Sequence, residues 1–417
     1  MPKALIFYHY FFPDDVSSAQ HLTELAQGLV RRGWEVTAMP SNRGCRNESR
    51  ICPRRGEHEG IRIRRIWRPN LCQASSIGRL ANAAWMICGW SLAAVTSRPA
   101  PDVVIVGTDP ILSVLVALFW KLARRRTQIV HWCFDLYPEA AAADGWLNPQ
   151  GAAYRLIQRL ARSAYGRCDL LADIGSCMRA RLTQYVPAEK LATLTPWALA
   201  ETEDPPKPDP EERRRLFGDA ALALMYSGTM GRAHAYQEIV ELARRLRDHN
   251  ARLVFSVRGN REASLRDAVQ AGDTNISFYP FASADDLQRR LSAADVHVVS
   301  LRQEWTGMVV PSKFFGAIAA GRPVLFVGSH DSAVARWIET YGLGWVLTAD
   351  NVAQVTEQII AHMNSSEEHA AMRQRCHDVY CRYFSRDQVL DAFDHKLRGL
   401  LRPKDALSVS PVSMRDS

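Results

Sequence analysis

The chain has 417 residues, of which 47% are hydrophobic and 23% are charged, which argues against a disordered polypeptide. This length exceeds what one hydrophobic core usually serves, so two domains of about 200 residues each are expected. The net charge of +8 favours anionic partners such as nucleic acid, acidic headgroups or phosphorylated small molecules, with solvated surface arginines as the plain alternative.

The first half of the chain alternates short apolar runs with longer helical ones. The opening MPKALIFYHYFFPDD predicts a strand and a loop and lacks the order of a signal peptide, so the cytoplasm is the expected location. A helix is predicted at SAQHLTELAQGLVRRG. Further strands are predicted at EVTAMP, IRIRRIW, PDVVIVG, QIVHWCF and DLLADIG. Alternation of this kind predicts a doubly wound parallel sheet.

Residues 196–215, PWALAETEDPPKPDPEERRR, replace the apolar periodicity with prolines and charges and form the predicted linker. Beyond it, strands are predicted at LALMYSG, ARLVFSVRG, NISFYPF, DVHVVSL and GWVLTAD, and helices at YQEIVELARRLRD and ADDLQRRLSAA. The expected class is α/β, with two Rossmann-like doubly wound domains that face a central cleft. The predicted units are an N-terminal domain (1–200), a C-terminal domain (201–385), a helix packing back toward the first domain (386–401) and a disordered tail (402–417).

Two segments are more apolar than a surface needs, namely RLANAAWMICGWSLAAVTS (79–97) and PILSVLVALFWKLARRR (110–126). Each apolar stretch is shorter than the roughly 20 residues that span a bilayer. Buried core helices are the favoured interpretation. The alternative is a face in the membrane interface, with Arg124 to Arg126 on acidic lipid.

The sequence predicts no metal site. Nine cysteines are scattered without a C-x-x-C pair, and twelve histidines form no H-E-x-x-H cluster, so reduced, mostly buried thiols are expected. Neither G-x-G-x-x-G nor G-x-x-x-x-G-K-[ST] occurs, which argues against dinucleotide oxidoreductases and P-loop ATPases.

A single lysine opens the apolar segment GMVVPSKFFGAIAAGRPVLFVG (307–328). Pro311 and Ser312 are predicted to begin and cap a helix. Lys313 then lies in its first turn, where the helix dipole opposes a cation by about 0.3–1 kcal/mol. A bound phosphate would offset this penalty, whereas an exposed lysine above an ordinary βαβ unit is the alternative.

The segment LALMYSGTMGRAHAY (222–236) is predicted to be a strand followed by a turn. This turn is expected to form the side of the phosphate site opposite Lys313. Its small residues allow backbone amides to approach an anion, and an arginine can donate two hydrogen bonds to it. A tight turn without a ligand is the alternative. The candidate residues are Ser227, Gly228, Thr229, Gly231, Arg232 and His234.

Residues 1–400 resemble the GT-B glycosyltransferases, most closely the family 4 enzymes of bacterial polysaccharide synthesis in the fucosaminyltransferase-like branch. The resemblance is carried by FYHYFFPDDVSSAQHLTELAQGLVRRGWEVT, DLYPEAAAADGWL, YSGTMGRAHA, GMVVPSKFFGAIAAGRPVLFVG and SAVARWIETYGLGW. It implies a nucleotide-diphosphate sugar held mainly by the C-terminal domain, an acceptor held mainly by the N-terminal domain, and retaining transfer without a metal. The absence of a D-x-D triplet agrees, since Arg232 and Lys313 can neutralise the leaving diphosphate.

The chain departs from the family at a Glu-x7-Glu pair, whose positions are occupied here by Met308 and Gly316. Glu304 is the candidate to fill the place of the first glutamate. Other donor contacts implied by the resemblance are Arg258 and Gly259 in VRGN, and Gly307, Pro311 and Ser312 before Lys313.

The acceptor side is predicted from the loops after two N-terminal strands. Asp135 follows the strand QIVHWCF, at the end where doubly wound sheets form ligand crevices, and is the candidate general base or acceptor contact. A helix cap is the alternative for such an aspartate. The remaining acceptor candidates are Glu139, Ser17, Ser18 and His21.

The leading hypothesis is a metal-independent, retaining hexosyl- or acetamidosugar transferase. It would use a UDP-linked donor, favoured over a GDP-linked one, and a lipid-linked saccharide acceptor, in surface or extracellular polysaccharide synthesis. It would need no cofactor beyond the nucleotide sugar and no nucleic acid, and would lie on the inner face of the plasma membrane. The alternatives are a nucleotide-sugar epimerase of the same architecture and a non-catalytic sugar-nucleotide-binding protein.

Overall fold

The computed structural model describes residues 1–73, 75–282 and 286–402, which fold into two sheets. The first sheet contains β1 (Lys3–Phe7), β2 (Glu35–Ala38), β3 (Arg55–His58), β4 (Ile61–Arg64), β5 (Val103–Gly107), β6 (Gln128–Trp132), β7 (Leu170–Asp173) and β8 (Leu191–Thr193). The second contains β9 (Leu222–Thr229), β10 (Ala251–Arg258), β11 (Ile276–Phe278), β12 (Val296–Ser300), β13 (Val324–Val327) and β14 (Gly344–Leu347). Of the predicted tail, 403–417 lie outside the described residues.

Helices connect the strands of both sheets. In the first half they are α1 (Ser17–Arg31), α2 (Ser76–Thr96), α3 (Val116–Ala123), α4 (Glu139–Ala143), α5 (Ala152–Arg167) and α6 (Ser176–Leu182). In the second half they are α7 (Pro210–Phe217), α8 (Gln237–Arg245), α9 (Glu262–Ala268), α10 (Leu287–Ser292), α11 (Lys313–Ala319), α12 (Ala333–Tyr341), α13 (Val352–Met363), α14 (Ser366–Tyr383) and α15 (Arg386–Leu401). The predicted helix ADDLQRRLSAA begins at residues 284 and 285, which lie outside the described part.

The strand order confirms the prediction of two doubly wound α/β domains. It is β3-β4-β2-β1-β5-β6-β7-β8 in the first sheet and β11-β10-β9-β12-β13-β14 in the second. The described strand pairs are parallel except for β3 with β4. The winding direction reverses between β1 and β5 and again between β9 and β12. Ligands of open α/β sheets bind at the carboxyl ends of the strands at such reversals.

Burial on both faces explains why the central strands are rich in valine and other apolar residues. All five residues of β5 are buried, and so are all five of β12. Helix α1 is amphipathic instead, with Leu22, Leu25 and Leu29 buried against the sheet. The buried strands and the apolar faces of the helices that pack on them therefore form the cores of the two domains.

The predicted linker at 196–215 is partly helical and packed. Its last six residues lie in α7, which begins at Pro210 and is capped by Asp209, whose carboxylate accepts the amide of Glu212 at 2.8 Å. Earlier in the segment, Trp197 is buried and Pro206 accepts a hydrogen bond from Arg322 at 3.1 Å. The proline-rich composition therefore identifies the connection between the domains, but the connection is packed against them and is not a flexible linker.

The last helix, α15, packs on α1 of the N-terminal domain. Arg32 Nη2 lies 2.6 Å from the carboxylate of Asp391, and the Trp34 indole donates to Asp394 at 2.6 Å. Gly28 permits this approach, because a Cβ there would lie 2.6 Å from Leu390 Cδ1.

The two apolar segments form α2 and α3, and each has two unlike sides. Met86, Trp90 and Trp120 are fully buried, as a core helix requires, whereas Leu92 and Leu122 are exposed. The core interpretation therefore holds for one side of each helix only. In the described part of the chain, no helix is long and apolar enough to cross a membrane.

Candidate active site

Two adjoining cavities lie at the strand reversals of the two sheets. The N-terminal cavity, of about 400 Å³, is lined by residues that follow β1, β5 and β6, including Tyr8, Thr108, Asp109 and Asp135. The C-terminal cavity, of about 540 Å³, is lined by residues that include Ser227, Gly228, Arg258, Lys313 and Gly316. Ser17, His21 and Ser312 line both cavities, which therefore meet between the domains.

Lys313 is a cation held by neutral groups at the wall of the C-terminal cavity. Its ammonium donates to the carbonyl of Thr229 at 3.0 Å, lies 3.2 Å from Nε2 of His234 and stands 5.3 Å above the Tyr226 ring. No salt bridge joins it to a carboxylate of the described residues. Burial lowers its pKa from 10.5 to about 8.

Gly228 of the predicted phosphate turn makes room for this lysine, and Gly259 makes room for the backbone of the same turn. Gly228 has φ 136°, and a Cβ there would lie 2.2 Å from Lys313 Cε. Gly259 has φ 135°, and a Cβ there would lie 2.4 Å from the Met230 carbonyl. Both positions therefore require glycine, for conformation and for space.

His234 leaves the Lys313 ammonium incompletely satisfied. Its Nδ1 accepts the amide of Gly231 at 3.1 Å, which places the proton of the neutral ring on Nε2, the nitrogen that faces Lys313. Burial and the Lys313 charge lower the pKa of His234 to about 3, so the ring stays neutral. Two donors therefore face each other, an arrangement that an anion accepting a hydrogen bond from each would relieve.

The predicted cap at Ser312 is wrong. Ser312 has helical dihedrals, φ −65° and ψ −18°, and its side chain makes no capping hydrogen bond, because a cap needs extended dihedrals. The helical turn instead begins at Pro311, whose carbonyl accepts the amide of Phe314 at 3.3 Å. The Ser312 hydroxyl is exposed where the two cavities meet.

Arg232, Glu304 and Gly307 are not brought to Lys313 in this conformation. Arg232 Nη1 donates across the domains to the Asp144 carbonyl at 2.8 Å and lines a separate cavity of about 400 Å³. Glu304 pairs with Arg302 at 2.5 Å and lines a further cavity. Gly307 lies against α6, where a Cβ would be 2.6 Å from the Cys177 carbonyl. Their donor roles therefore stay predictions.

Asp135 faces the N-terminal cavity beside a second acid. Burial, with a smaller contribution from Asp109, raises the pKa of Asp135 to about 6. Asp109 lies 3.4 Å from Nδ1 of His9. Sequence reasoning missed Asp109, although it follows β5 as Asp135 follows β6. The two carboxyl ends are neighbours because β5 pairs with β6.

The other predicted acceptor residues differ in their surroundings. Both ring nitrogens of His21 are engaged by carbonyls, Nδ1 with Ser17 at 2.7 Å and Nε2 with Trp197 at 2.9 Å, and burial lowers its pKa. Ser18 hydrogen-bonds the Tyr8 side chain. Glu139 is buried, accepts from the Tyr185 hydroxyl and lines neither cavity.

Two further residues of the C-terminal cavity were not predicted. Phe281 offers a half-exposed ring with the Arg258 guanidinium 4.0 Å from its centroid. Arg46 enters from the N-terminal domain, where it pairs with Asp15. Arg46 had no sequence signal, because only the fold brings its loop to this cavity.

Two family comparisons match successive parts of the chain. The Glycosyl transferase 4-like domain matches residues 18–197, and Glycosyl transferases group 1 matches residues 221–365. The chain belongs to the family 4 GT-B glycosyltransferases. The first match covers β2 to β8 of the first sheet, and the second covers all six strands of the second sheet. Each of the two adjoining cavities is lined mainly by residues of one half of the chain.

Two bacterial relatives of this chain are named as glycosyltransferases. WbjE of Pseudomonas aeruginosa, assigned as a glycosyltransferase, is 27% identical over 256 residues, which are 58% of this chain and 62% of WbjE. WcaI of Escherichia coli K12, assigned to colanic acid biosynthesis, is 23% identical over 415 residues, which are 95% of this chain and all of WcaI. The structure of Anabaena HepE with UDP and glucose has a TM-score of 0.67 at 12% identity, covering 96% of this chain and 100% of HepE, a likeness of fold.

The described part of this glycosyltransferase contains no group of three or more His, Cys, Asp or Glu side chains that could hold a metal ion. The cations nearest to the C-terminal cavity are side chains, namely Lys313, Arg258 and Arg46. These three side chains give the cavity a positively charged lining.

Proposed function

We propose that this glycosyltransferase moves a hexosyl or acetamidosugar unit from a UDP-linked donor to a lipid-linked saccharide, with retention and without a metal ion. The transfer would serve the synthesis of a surface or extracellular polysaccharide at the inner face of the plasma membrane. The observation that carries the proposal is Lys313, a half-buried cation at the wall of the C-terminal cavity whose partners among the described residues are neutral. A diphosphate supplies the missing negative charge.

The C-terminal cavity suits a nucleoside diphosphate. Lys313, Arg258 and Arg46 place three cations around it, whereas Asp15 is the one carboxylate among the described residues that line it. The half-exposed ring of Phe281 gives a nucleobase a surface on which to stack. The UDP bound to HepE supports a UDP-linked donor, and the role of WcaI in colanic acid biosynthesis supports a polysaccharide product.

In the proposed mechanism, Lys313 stabilises the negative charge that develops on the departing diphosphate. A preorganised cation in an enclosed cavity contributes several kcal/mol in this role, on the order of what a metal ion supplies. The acceptor hydroxyl enters from the N-terminal cavity, on the same side of the sugar as the leaving group, and Asp135 accepts its proton. Bond formation on that face retains the anomeric configuration.

The presence of the N-terminal cavity beside the C-terminal one favours a transferase over an epimerase. An epimerase acts on one nucleotide sugar and needs no acceptor, whereas the N-terminal cavity adds about 400 Å³ beside the donor cavity. Its paired acids, Asp109 and Asp135, suit a saccharide hydroxyl. We therefore assign this cavity to the acceptor.

A thermal-shift panel with UDP, GDP, CMP and their sugars tests the proposed donor. UDP and UDP-sugars are expected to raise Tm most, because preferential binding to the native state stabilises it by mass action. A labelled sugar should then pass from the donor to membrane lipid extracts. An epimer formed from UDP-GlcNAc alone would identify an epimerase, and binding without turnover would identify a non-catalytic protein.

The affinity for a UDP-sugar is expected to fall as pH rises above about 8. Lys313 has a pKa of about 8, and only its protonated form attracts the diphosphate, so affinity should drop by up to about tenfold per pH unit above that value. Calorimetry between about pH 6.5 and 9 measures this dependence. Lys313→Arg, which stays protonated, should flatten the profile. A parent profile that is flat throughout would contradict the assignment.

A further inference from the structure

Helices α2, α3 and α5 form a side-by-side layer on the N-terminal domain, where α3 contacts both of the others. None of the three contains an aspartate or glutamate. They carry only cations, namely Arg79, Lys121, Arg155, Arg159, Arg162 and Arg167. The whole chain has 52 basic and 44 acidic residues, so three helices with basic residues and no acidic ones are unusual, and their charge favours an anionic partner.

The outward side of this layer is apolar. On α2, exposed residues recur at helical spacing as Ile77, Trp85, Leu92 and Val95, and α3 and α5 add Leu122 and Leu156. Ile77 is 81% exposed and Leu122 is 78% exposed, although both are large aliphatic side chains. Among the described residues, the C-terminal domain exposes far fewer such side chains, chiefly Phe281 and Tyr383. An apolar surface so concentrated marks an interaction site.

Basic residues and tryptophans border this apolar surface. Arg125 and Arg126, which follow α3, are exposed, as are Arg155 and Arg159 on α5. Trp85 donates from its indole to the carbonyl of Trp67, which is itself exposed. Apolar residues at the centre, with tryptophans and arginines around them, suit the interface of an anionic bilayer.

A second copy of the chain fits this surface poorly. A two-fold dimer would place the same patch against itself, with arginine facing arginine. Lys121 pairs with Asp169, but the exposed Arg125, Arg126, Arg155 and Arg159 have no carboxylate partner among the described residues. Anionic headgroups supply the missing charge while acyl chains receive the apolar side chains. The occupant that matches both properties is therefore a lipid surface.

The layer ends beside the N-terminal cavity. Ile111, which lines that cavity, is followed by a 3₁₀ turn at Ser113–Leu115 and then by α3. Arg79 on α2 lies 4.0 Å from the ring centroid of Trp146. Trp146 comes two residues after Asp144, whose carbonyl accepts a hydrogen bond from Arg232 of the other domain. A lipid bound at this layer would therefore hold its headgroup near the cavity.

We propose that the exposed apolar surface of α2, α3 and α5, the three-helix face, binds an anionic phospholipid bilayer and presents the N-terminal cavity to its headgroups. The delivery of a lipid-linked acceptor rests on the proposed function, whereas binding to lipid does not. The three-helix face lies on the bilayer without crossing it.

Sedimentation of the purified protein with vesicles tests the three-helix face. The parent is expected to bind phosphatidylcholine vesicles that contain phosphatidylglycerol, and to bind pure phosphatidylcholine at least about tenfold less. Leu92→Asp combined with Leu122→Asp should reduce binding to the anionic vesicles by about tenfold or more. Arg125→Gln combined with Arg126→Gln should reduce it by about fivefold per removed charge. The matched control, Leu401→Asp, places an acid at the far end of α15 and should bind as the parent does.

The fold of each variant is checked by the Tm rise that a UDP-sugar induces. A retained rise with lost vesicle binding supports the three-helix face even if transfer is never detected. A parent that ignores anionic vesicles, or a Leu92/Leu122 variant that binds them as the parent does, would overturn the proposal. A concentration-dependent dimer in light scattering that this variant abolishes would identify a second copy as the occupant and overturn it as well. Failure of every variant, the control included, to respond to a UDP-sugar would count against the proposed function.

Discussion

Replacement of Lys313 by methionine is expected to lower the affinity for a UDP-sugar by about 100-fold and to stabilise the folded protein. The loss follows because a charge-assisted hydrogen bond to phosphate contributes about 1.5–3 kcal/mol. The gain follows because burial lowers the pKa of Lys313 from 10.5 to about 8, so folding opposes its protonation. Removing the cation should raise the free energy of unfolding by about 1–3 kcal/mol at pH 7.

The pH dependence of the free energy of unfolding distinguishes the removal of the Lys313 charge from a change in packing. A lysine whose pKa is lower in the folded state destabilises the fold fully below the folded pKa, near 8, and ceases to do so above 10.5. Urea unfolding of the parent and of Lys313→Met should therefore differ at pH 7 and converge at higher pH. Lys207→Met, at an exposed lysine of the domain connection, should change stability by less than about 0.5 kcal/mol. A Lys313→Met protein that is less stable than the parent and still binds a UDP-sugar tightly would disprove a donor role.

Most of the strand positions could be predicted because they depend on local burial patterns. VVIVG at 103–107 is apolar throughout, and VHVVS at 296–300 is buried throughout with three valines, as strands buried on both faces are expected to be. Strand β3, RGEH at 55–58, was missed because it has no such pattern. It is a strand only through antiparallel pairing with β4, which tertiary structure supplies.

The Lys313 site could be predicted in part because its two halves are each local motifs. The sequence placed Lys313 in the first turn of a helix and Gly228 in a turn after a strand. The fold brings these two elements together across 84 residues, through the hydrogen bond from Lys313 to Thr229. The partner of Arg232 could not be inferred, because Asp144 belongs to the other domain and their contact depends on how the domains meet. Ser312 shows a further limit, since a good capping residue with helical dihedrals does not cap.

Asp135→Asn is expected to reduce kcat by about 100- to 10,000-fold while leaving the affinity for a UDP-sugar unchanged. The asparagine cannot accept the proton of the acceptor hydroxyl, a step that general bases accelerate by this range. The Asp135 carboxylate is suited to the task because no side-chain hydrogen bond occupies it among the described residues, and because its pKa is about 6. Calorimetry with donor and a turnover assay with acceptor measure the two quantities separately.

The pH dependence of kcat/KM identifies the base. A carboxyl with a pKa raised to about 6 is ionised above that value and protonated below it, so the activity of the parent should fall as pH drops through 6. Asp109 raises this pKa through its negative charge, so Asp109→Asn should move the acid limb to lower pH. Two results would show that another group takes the proton. One is an Asp109→Asn variant whose kcat/KM falls at the same pH as that of the parent. The other is an active Asp135→Asn variant with the same acid-side pH dependence as the parent. Because Asp109 acts on Asp135 only through charge, a shifted limb cannot arise from a general loss of folding, which would lower activity at every pH alike.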